Sequence, residues 1–86
     1  MKALHLEILS PEKLVYSGDI DSVTVPGSAG RFTILPEHAP IISSLAAGTI
    51  VYVAAGAEQK VDISRGFVEM NGNDVSMCVE LAGDNS

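Results

Sequence analysis

The side chains to weigh first for chemistry are two histidines, one cysteine and the dispersed carboxylates of this 86-residue chain. His38 stands beside Glu37 between two prolines and is the right type for a general base, yet no nucleophile is placed for it. Neither histidine has a second ligand at a spacing familiar from metal sites. His5, between Leu4 and Leu6, reads as a solvated or edge residue of a strand. Cys78 has no CxxC partner, neighbouring base or helix N-terminus to stabilise its thiolate, so it reads as inert. Glu7, Glu69 and Glu80 are of the type that pairs as acid and base, but their setting is that of exposed strand carboxylates. Pro26-Gly27-Ser28-Ala29-Gly30-Arg31 has the glycines of a phosphate cradle without the terminal Lys-Ser/Thr or a following helix, and serves a tight turn equally well. Elimination leaves a binding module with no catalytic residue, no metal site and no cofactor.

The stretch Val25–Ile42 is where binding would be sought. It holds three of the chain's four prolines and two of its glycines around a short apolar strand. It closes on His38-Ala39-Pro40-Ile41-Ile42, an apolar run beside a proline. A turn that merely joins strands would be polar. This one presents a rigid, partly apolar loop outward.

Composition narrows the partner. Eleven acids against five bases give a net charge of −6. Phosphate neutralisation needs clustered Lys and Arg, and the five bases form no run, so nucleic acid is excluded as a partner. Direct adhesion to anionic lipid is disfavoured for the same reason. Aliphatic and aromatic residues make up 47% of a chain without Trp. A chain this short buries only about 60% of its unfolded surface, so some of that apolar area is expected to cover a partner. The lone Cys78 permits no internal disulfide and fits a reducing compartment. Met1-Lys2-Ala3 leads directly into alternating sequence, with no basic segment and apolar core of a signal peptide, and no run is long enough to span a bilayer. The expectation is a cytoplasmic protein.

Elements to position these residues follow from a period of two. Leu4, Leu6 and Ile8 alternate with His5 and Glu7. Val23 and Val25 alternate with Ser22 and Thr24. Val61 and Ile63 alternate with Lys60, Asp62 and Ser64. Val75, Met77, Val79 and Leu81 alternate with Asp74, Ser76, Cys78 and Glu80. Each set is a strand with one face inward. Turn residues punctuate the chain at Ser10–Glu12, Ser17–Asp19, Pro26-Gly27, Pro36–Pro40, Ala47-Gly48, Ala55–Ala57 and Arg65-Gly66. Asn71-Gly72 reads as a type I′ hairpin turn joining Phe67–Met70 to Asp74–Leu81. The pattern predicts one all-β domain over 1–82, an antiparallel sandwich, with a frayed tail at 83–86. Two segments, Thr49–Ala54 and the part of Leu35–Leu45 around Ile41 and Ile42, are apolar on both faces. Either a loop covers the outer face of each, or another protein does.

The same residues resemble a known family. Ser-Pro-Glu at 10–12, Tyr-Ser-Gly at 16–18, Val-Thr-Val-Pro-Gly-Ser-Ala-Gly at 23–30, Phe-Thr-Ile-Leu-Pro-Glu-His-Ala-Pro-Ile-Ile at 32–42, Ala-Gly-Thr-Ile at 47–50 and Arg-Gly-Phe-Val-Glu at 65–69 are similar, in order, to the epsilon subunit of rotary F-type ATP synthases. The resemblance implies an antiparallel β-sandwich of about ten short strands. It implies a non-catalytic place at the foot of the central stalk, linking the gamma shaft to the membrane rotor ring and coupling proton flow to ATP synthesis. Carried over by position, Ser28, Ala29, Gly30, Arg31 and Phe32, with His38, Ala39, Pro40 and Ile42, would face the rotor ring. Ser10 and His38 would lie toward gamma. The implied setting is peripheral, on the cytoplasmic face of a bacterial membrane, in a hetero-oligomer with no direct membrane insertion.

Two features depart from the family pattern. Members usually continue into a C-terminal helical hairpin that binds nucleotide or brakes the catalytic part, and these residues hold no counterpart of it. Position 31, often acidic in the family, is Arg here, and Arg65 replaces a frequent glycine. Readings outside the family are a free-standing β-sandwich adaptor and a small enzyme using His38 with Glu37.

Overall fold

Alternation of Val, Ile, Leu and Met with polar residues leaves the chain no way to bury its apolar side chains except as strands with one face inward. The computed structural model describes residues 3–83. Among them are eight strands: β1 Leu4–Leu9, β2 Leu14–Ile20, β3 Ser22–Gly27, β4 Gly30–Ile34, β5 Ile41–Leu45, β6 Gly48–Ala54, β7 Ala57–Asn71 and β8 Asp74–Leu81. No described residue is helical.

The ladder runs β2-β1-β8-β7-β5-β3-β4, with β6 paired to both β3 and β7. It folds into two layers that share β7. The first half of β7 pairs with β6, from Ala57 opposite Ala54 to Ile63 opposite Gly48. Its second half pairs with β5, from Gly66 opposite Leu45 to Met70 opposite Ile41. One layer is therefore β4-β3-β6 with the start of β7. The other is β2-β1-β8 with the end of β7 and β5. Every pairing is antiparallel except β1 with β8, which is parallel.

Eight strands replace the expected ten, and β7 supplies much of the reason. Arg65-Gly66 reads in sequence as punctuation between a strand at Val61–Ile63 and another at Phe67–Met70. In the fold a single strand of 15 residues runs through both. The register against β8 shifts between Ile63 and Arg65, so the strand bulges there instead of turning. Gly66 serves close approach: a Cβ at that position would lie 2.8 Å from the Cys78 carbonyl oxygen and from Val79 Cγ1.

The two hairpin turns also trade roles. At β7–β8, Asn71 pairs with Asp74, so Gly72 and Asn73 are the central residues. Gly72 has φ 65° and Asn73 is not left-handed, the signature of a type II′ turn rather than the expected I′. The type I′ signature lies at β6–β7, where Ala55 (φ 53°) and Gly56 (φ 77°) are both left-handed.

Between the layers Leu4, Leu6, Ile8, Ile20, Val23, Val25, Ile34, Ile50, Ile63, Val68, Met70, Val75 and Met77 are buried. Tyr16 from β2 meets Tyr52 from β6 across the core with ring centroids 4.5 Å apart. Burial holds the Tyr52 phenol above its usual pKa, with the neighbouring Tyr16 adding to the effect. The two-faced apolar character of β6 is resolved inside its own layer. Val51 lies between Thr24 and Lys60, and Val53 between Ser22 and Glu58, and both are half-buried. The expected fraying of 83–86 falls, apart from Gly83, outside the described residues.

Ala55 pays a steric penalty at φ 53° that Asn tolerates better. Ala55→Asn is expected to raise the unfolding free energy by about 0.5–1 kcal/mol, read as a higher urea midpoint at unchanged slope. Tyr52 gives an alkaline prediction. Its pKa is raised in the folded state, so the unfolded phenol ionises first. Its contribution is fully present below the unfolded value of about 10 and is lost as pH rises through the folded pKa. Urea midpoints measured from pH 8 upward should fall less steeply in Tyr52→Phe than in the parent.

Candidate functional site

Strand parity decides which side chains face outward, and the two layers use that freedom differently. On the outer face of β4-β3-β6 the polar groups satisfy one another. Thr24 and Thr33 share a hydrogen bond of 2.8 Å between hydroxyls, and the Thr49 hydroxyl donates to Asp62 Oδ1 at 2.6 Å. Arg31, opposite Pro26 in register, reaches across it to donate to the Thr49 carbonyl at 3.1 Å.

The outer face of the other layer carries apolar groups in a row. Ser44 is opposite Phe67, Phe67 opposite Cys78, Cys78 beside Leu9, and Leu9 opposite Leu14. Leu14, Leu9 and Phe67 are 53%, 39% and 44% exposed. Beside this row lies a groove of about 670 Å³ lined by Leu9, Ser10, Pro11, Phe67, Cys78 and Val79 among others. Its polar wall is Arg65, which donates to Glu80 at 3.0 Å. That hydrogen bond, with the Glu80 charge behind it, holds the guanidinium pKa above its already high normal value.

Ser10 sits on the groove with its hydroxyl engaged. It donates to the Lys13 carbonyl at 3.2 Å and accepts the Lys13 N–H at 3.3 Å, closing the β1–β2 turn. Ser28 and Ala29 form the tip of the β3–β4 hairpin. The Ser28 N–H donates to the Ser44 carbonyl at 3.0 Å, and the Ser44 hydroxyl donates to Ser28 Oγ at 2.9 Å. That amide is spent on the sheet and is not held open for an anion. Gly30 takes φ 135°, which side-chain-bearing residues rarely adopt. Gly27 has no room for a methyl, since a Cβ would lie 2.7 Å from the Gly30 carbonyl oxygen and from the Phe32 ring. Phe32 is half-buried against the core, while Ala29, Gly30 and Arg31 are exposed.

The segment His38–Ile42 occupies a different place. Glu37, at φ 66°, donates its N–H to Asn73 Oδ1 at 2.8 Å, and the His38 N–H closes a turn on the Leu35 carbonyl. His38 Nδ1 lies 2.9 Å from the Ala39 carbonyl oxygen. His38, Ala39 and Pro40 are exposed, and Ile42 is 70% exposed on the outer side of β5. Ser28 adjoins Ser44 and the Glu37 loop adjoins Asn73, so the two segments expected from the resemblance to face a rotor ring sit by opposite ends of β5, about 13 Å of strand apart. Ser10 and His38 are likewise separated: the His5 N–H meets the Asn73 carbonyl, and Ser10 follows His5 by about 16 Å of strand.

The remaining reactive types are scattered. His5 pairs with Asp19 at 3.3 Å on the surface. Glu7 and Glu69 face the same Ser76 from two sides, about 10 Å apart across the sheet. Among the described residues no three His, Cys, Asp or Glu side chains converge. Leu9, Pro11 and Phe67 are the groove residues that sequence reading passed over. Their signal was parity: Leu9 and Phe67 fall on the outward positions of strands whose inward set is already complete.

Residues 3–84 match the β-sandwich domain family of the ATP synthase delta/epsilon chain. The chain belongs to that family. It is 46% identical over 81 residues to an ATP synthase epsilon chain of Nitratidesulfovibrio vulgaris, covering 94% of this chain and 60% of the relative. It is 42% identical over 78 residues to the epsilon chain of Leptospira interrogans, covering 90% of this chain and 61% of that one. The chain thus spans about three-fifths of the length of these curated relatives. The same fold recurs in far more distant structures. A chain of the Euglena gracilis mitochondrial ATP synthase superposes with a TM-score of 0.84 at 19% identity, covering 90% of this chain and 50% of that one. One from the central stalk and c-ring of the Tetrahymena thermophila enzyme gives 0.77 at 12% identity, covering 98% and 73%.

Gly27→Ala forces backbone against backbone at the tip of the β3–β4 hairpin. Urea denaturation should show a loss of about 1–3 kcal/mol, against little change for Ala29→Ser at the exposed tip.

Proposed function

We propose that this domain is a non-catalytic central-stalk element of a proton-translocating F-type ATP synthase, seated between the gamma shaft and the membrane rotor ring. It turns with both and couples ion flow to ATP synthesis elsewhere in the complex, on the cytoplasmic face of a bacterial membrane. The observation that carries this reading is the contrast between the two outer faces. One screens its half-buried Val51 and Val53 with neighbouring polar side chains that bond to one another. The other leaves Leu14, Leu9, Phe67 and an apolar groove uncovered, with Ser10 on its edge.

Gamma takes the groove face. A row of exposed apolar groups across four strands is a dry centre for a protein interface, with Ser10, Arg65 and Glu80 as its polar rim. The rotor ring takes the hairpin Ser28–Phe32, whose Arg31 is drawn over Pro26 to the Thr49 carbonyl, and the segment His38, Ala39, Pro40 and Ile42. His38, beside the Asn73 turn and away from Ser10, goes with this ring contact and does not join Ser10 toward gamma. Ser28 is bonded to Ser44, which lines the groove, so the two contact regions share a wall. Pro26, Pro36 and Pro40 fix their φ angles, leaving little loop entropy to lose on docking. A torque-bearing joint needs stiffness and buried area, and no reactive group.

Capture of purified gamma by the immobilised chain tests the reading, with capture of the detergent-solubilised rotor ring in parallel. Phe67→Asp places an unpaired charge in the groove contact and should cost a few kcal/mol of gamma binding. Ile42→Asp should do the same for the ring. Both side chains are exposed, so the unfolding midpoint of each variant should stay close to the parent's. Failure of the folded parent chain to capture either partner at micromolar concentration would overturn the assignment.

A further inference from the structure

We propose that Asn73 is a positioning residue that holds the Leu35–Pro40 loop in the shape in which it docks; this rests on the ring-facing reading of His38, Ala39, Pro40 and Ile42. The loop does not hold that shape unaided. Glu37 sits at φ 66°, a left-handed conformation costly to a side chain of its type. Its N–H would point into solvent without a partner. Asn73, in the β7–β8 turn and 36 residues away, supplies the acceptor: Oδ1 at 2.8 Å from the Glu37 nitrogen. The donor is a backbone N–H, so the oxygen of the amide must face it, which fixes the orientation of the Asn73 side chain.

Asn73 is itself well held. It is half-buried and follows Gly72 at the centre of a tight turn, and its carbonyl accepts the His5 N–H at 2.8 Å. The loop is thereby tied to β1, β7 and β8 at one point. On the loop side, the His38 N–H to Leu35 carbonyl turn and the two flanking prolines carry the constraint on to Ala39 and Pro40. Asn73 has no part in the groove. Its influence falls on the ring-facing segment and leaves the gamma-facing face alone.

The test needs variants that separate acceptor chemistry from turn formation. Asn73→Ala and Asn73→Ser remove the reach; Ser is a good turn former and guards against a misfolded turn. Asn73→Asp keeps an oxygen acceptor. Three measurements are made on each folded variant: amide exchange at Glu37, capture of the solubilised rotor ring, and capture of gamma. The expected result for Ala and Ser is faster exchange at Glu37 and roughly tenfold weaker ring capture, the scale of one hydrogen bond, with gamma capture unchanged. Asp should restore both exchange protection and ring capture. Unchanged ring capture despite a freed Glu37 amide would overturn the proposal. So would an equal loss of ring and gamma capture, which a merely structural role would give. If the parent chain captures gamma but not the ring, the ring-facing reading itself fails and the proposal with it.

Discussion

The architecture hangs on one strand having to hydrogen-bond in two layers at once. β7 must pair with β6 along its first half, with β5 along its second, and with β8 on its other side from Ile63 onward. A straight, regular strand would satisfy one layer only. The bulge between Ile63 and Arg65 bends it, and Gly66 lets it lie against the Cys78 carbonyl and Val79 at a distance no side chain would allow. With that bend in place, Ile63 and Val68 both point into one core, and β5 and β6 follow β7 from one layer to the other through a two-residue link at Ala46-Ala47. The same bend sets Ser44, Phe67, Cys78 and Leu9 in a row outside.

The two outer faces then divide the labour between solubility and adhesion. Threonine hydroxyls, Asp62 and Arg31 bond within the β4-β3-β6 face, which leaves it fewer free groups to offer a partner. The other face keeps apolar groups where parity calls for polar ones. For a chain of net charge −6, the acids sit around this surface rather than in it: Glu80 is held by Arg65, and Glu7 and Glu69 lie a row away. Glycine and proline shape the contact loops by opposite means. Gly27 and Gly30 permit a hairpin tip that no other residue would form, while the prolines remove freedom from segments that must not give way.

Most of the inward set was readable from alternation, because a strand's side chains are assigned to faces by a period that the sequence displays directly. Leu4, Leu6, Ile8, Val23, Val25, Ile63, Val75, Met77 and Val79 are all buried as that period requires. Turn chemistry was less legible. Asn71-Gly72 carries the strongest local hairpin signal, yet register puts Gly72-Asn73 at the centre and frees Asn73 to reach Glu37. Arg65-Gly66 looks like a turn for the same local reason, and the need for an unbroken strand overrides it.

Legible in the chain alone were the all-β class, most of the core, the family, and the glycine- and proline-shaped turns on either side of β4. These follow from local periodicity, from proline and glycine, and from a motif order that needs no third dimension. Which outward residues share a surface depends on how the strands pack. Ser28 meets Ser44, Ser10 joins Leu9 and Phe67 at a groove, and the His38 loop is tied to Asn73. Those neighbours are brought together by register between strands distant in the chain, and register is set by the packing of the whole core.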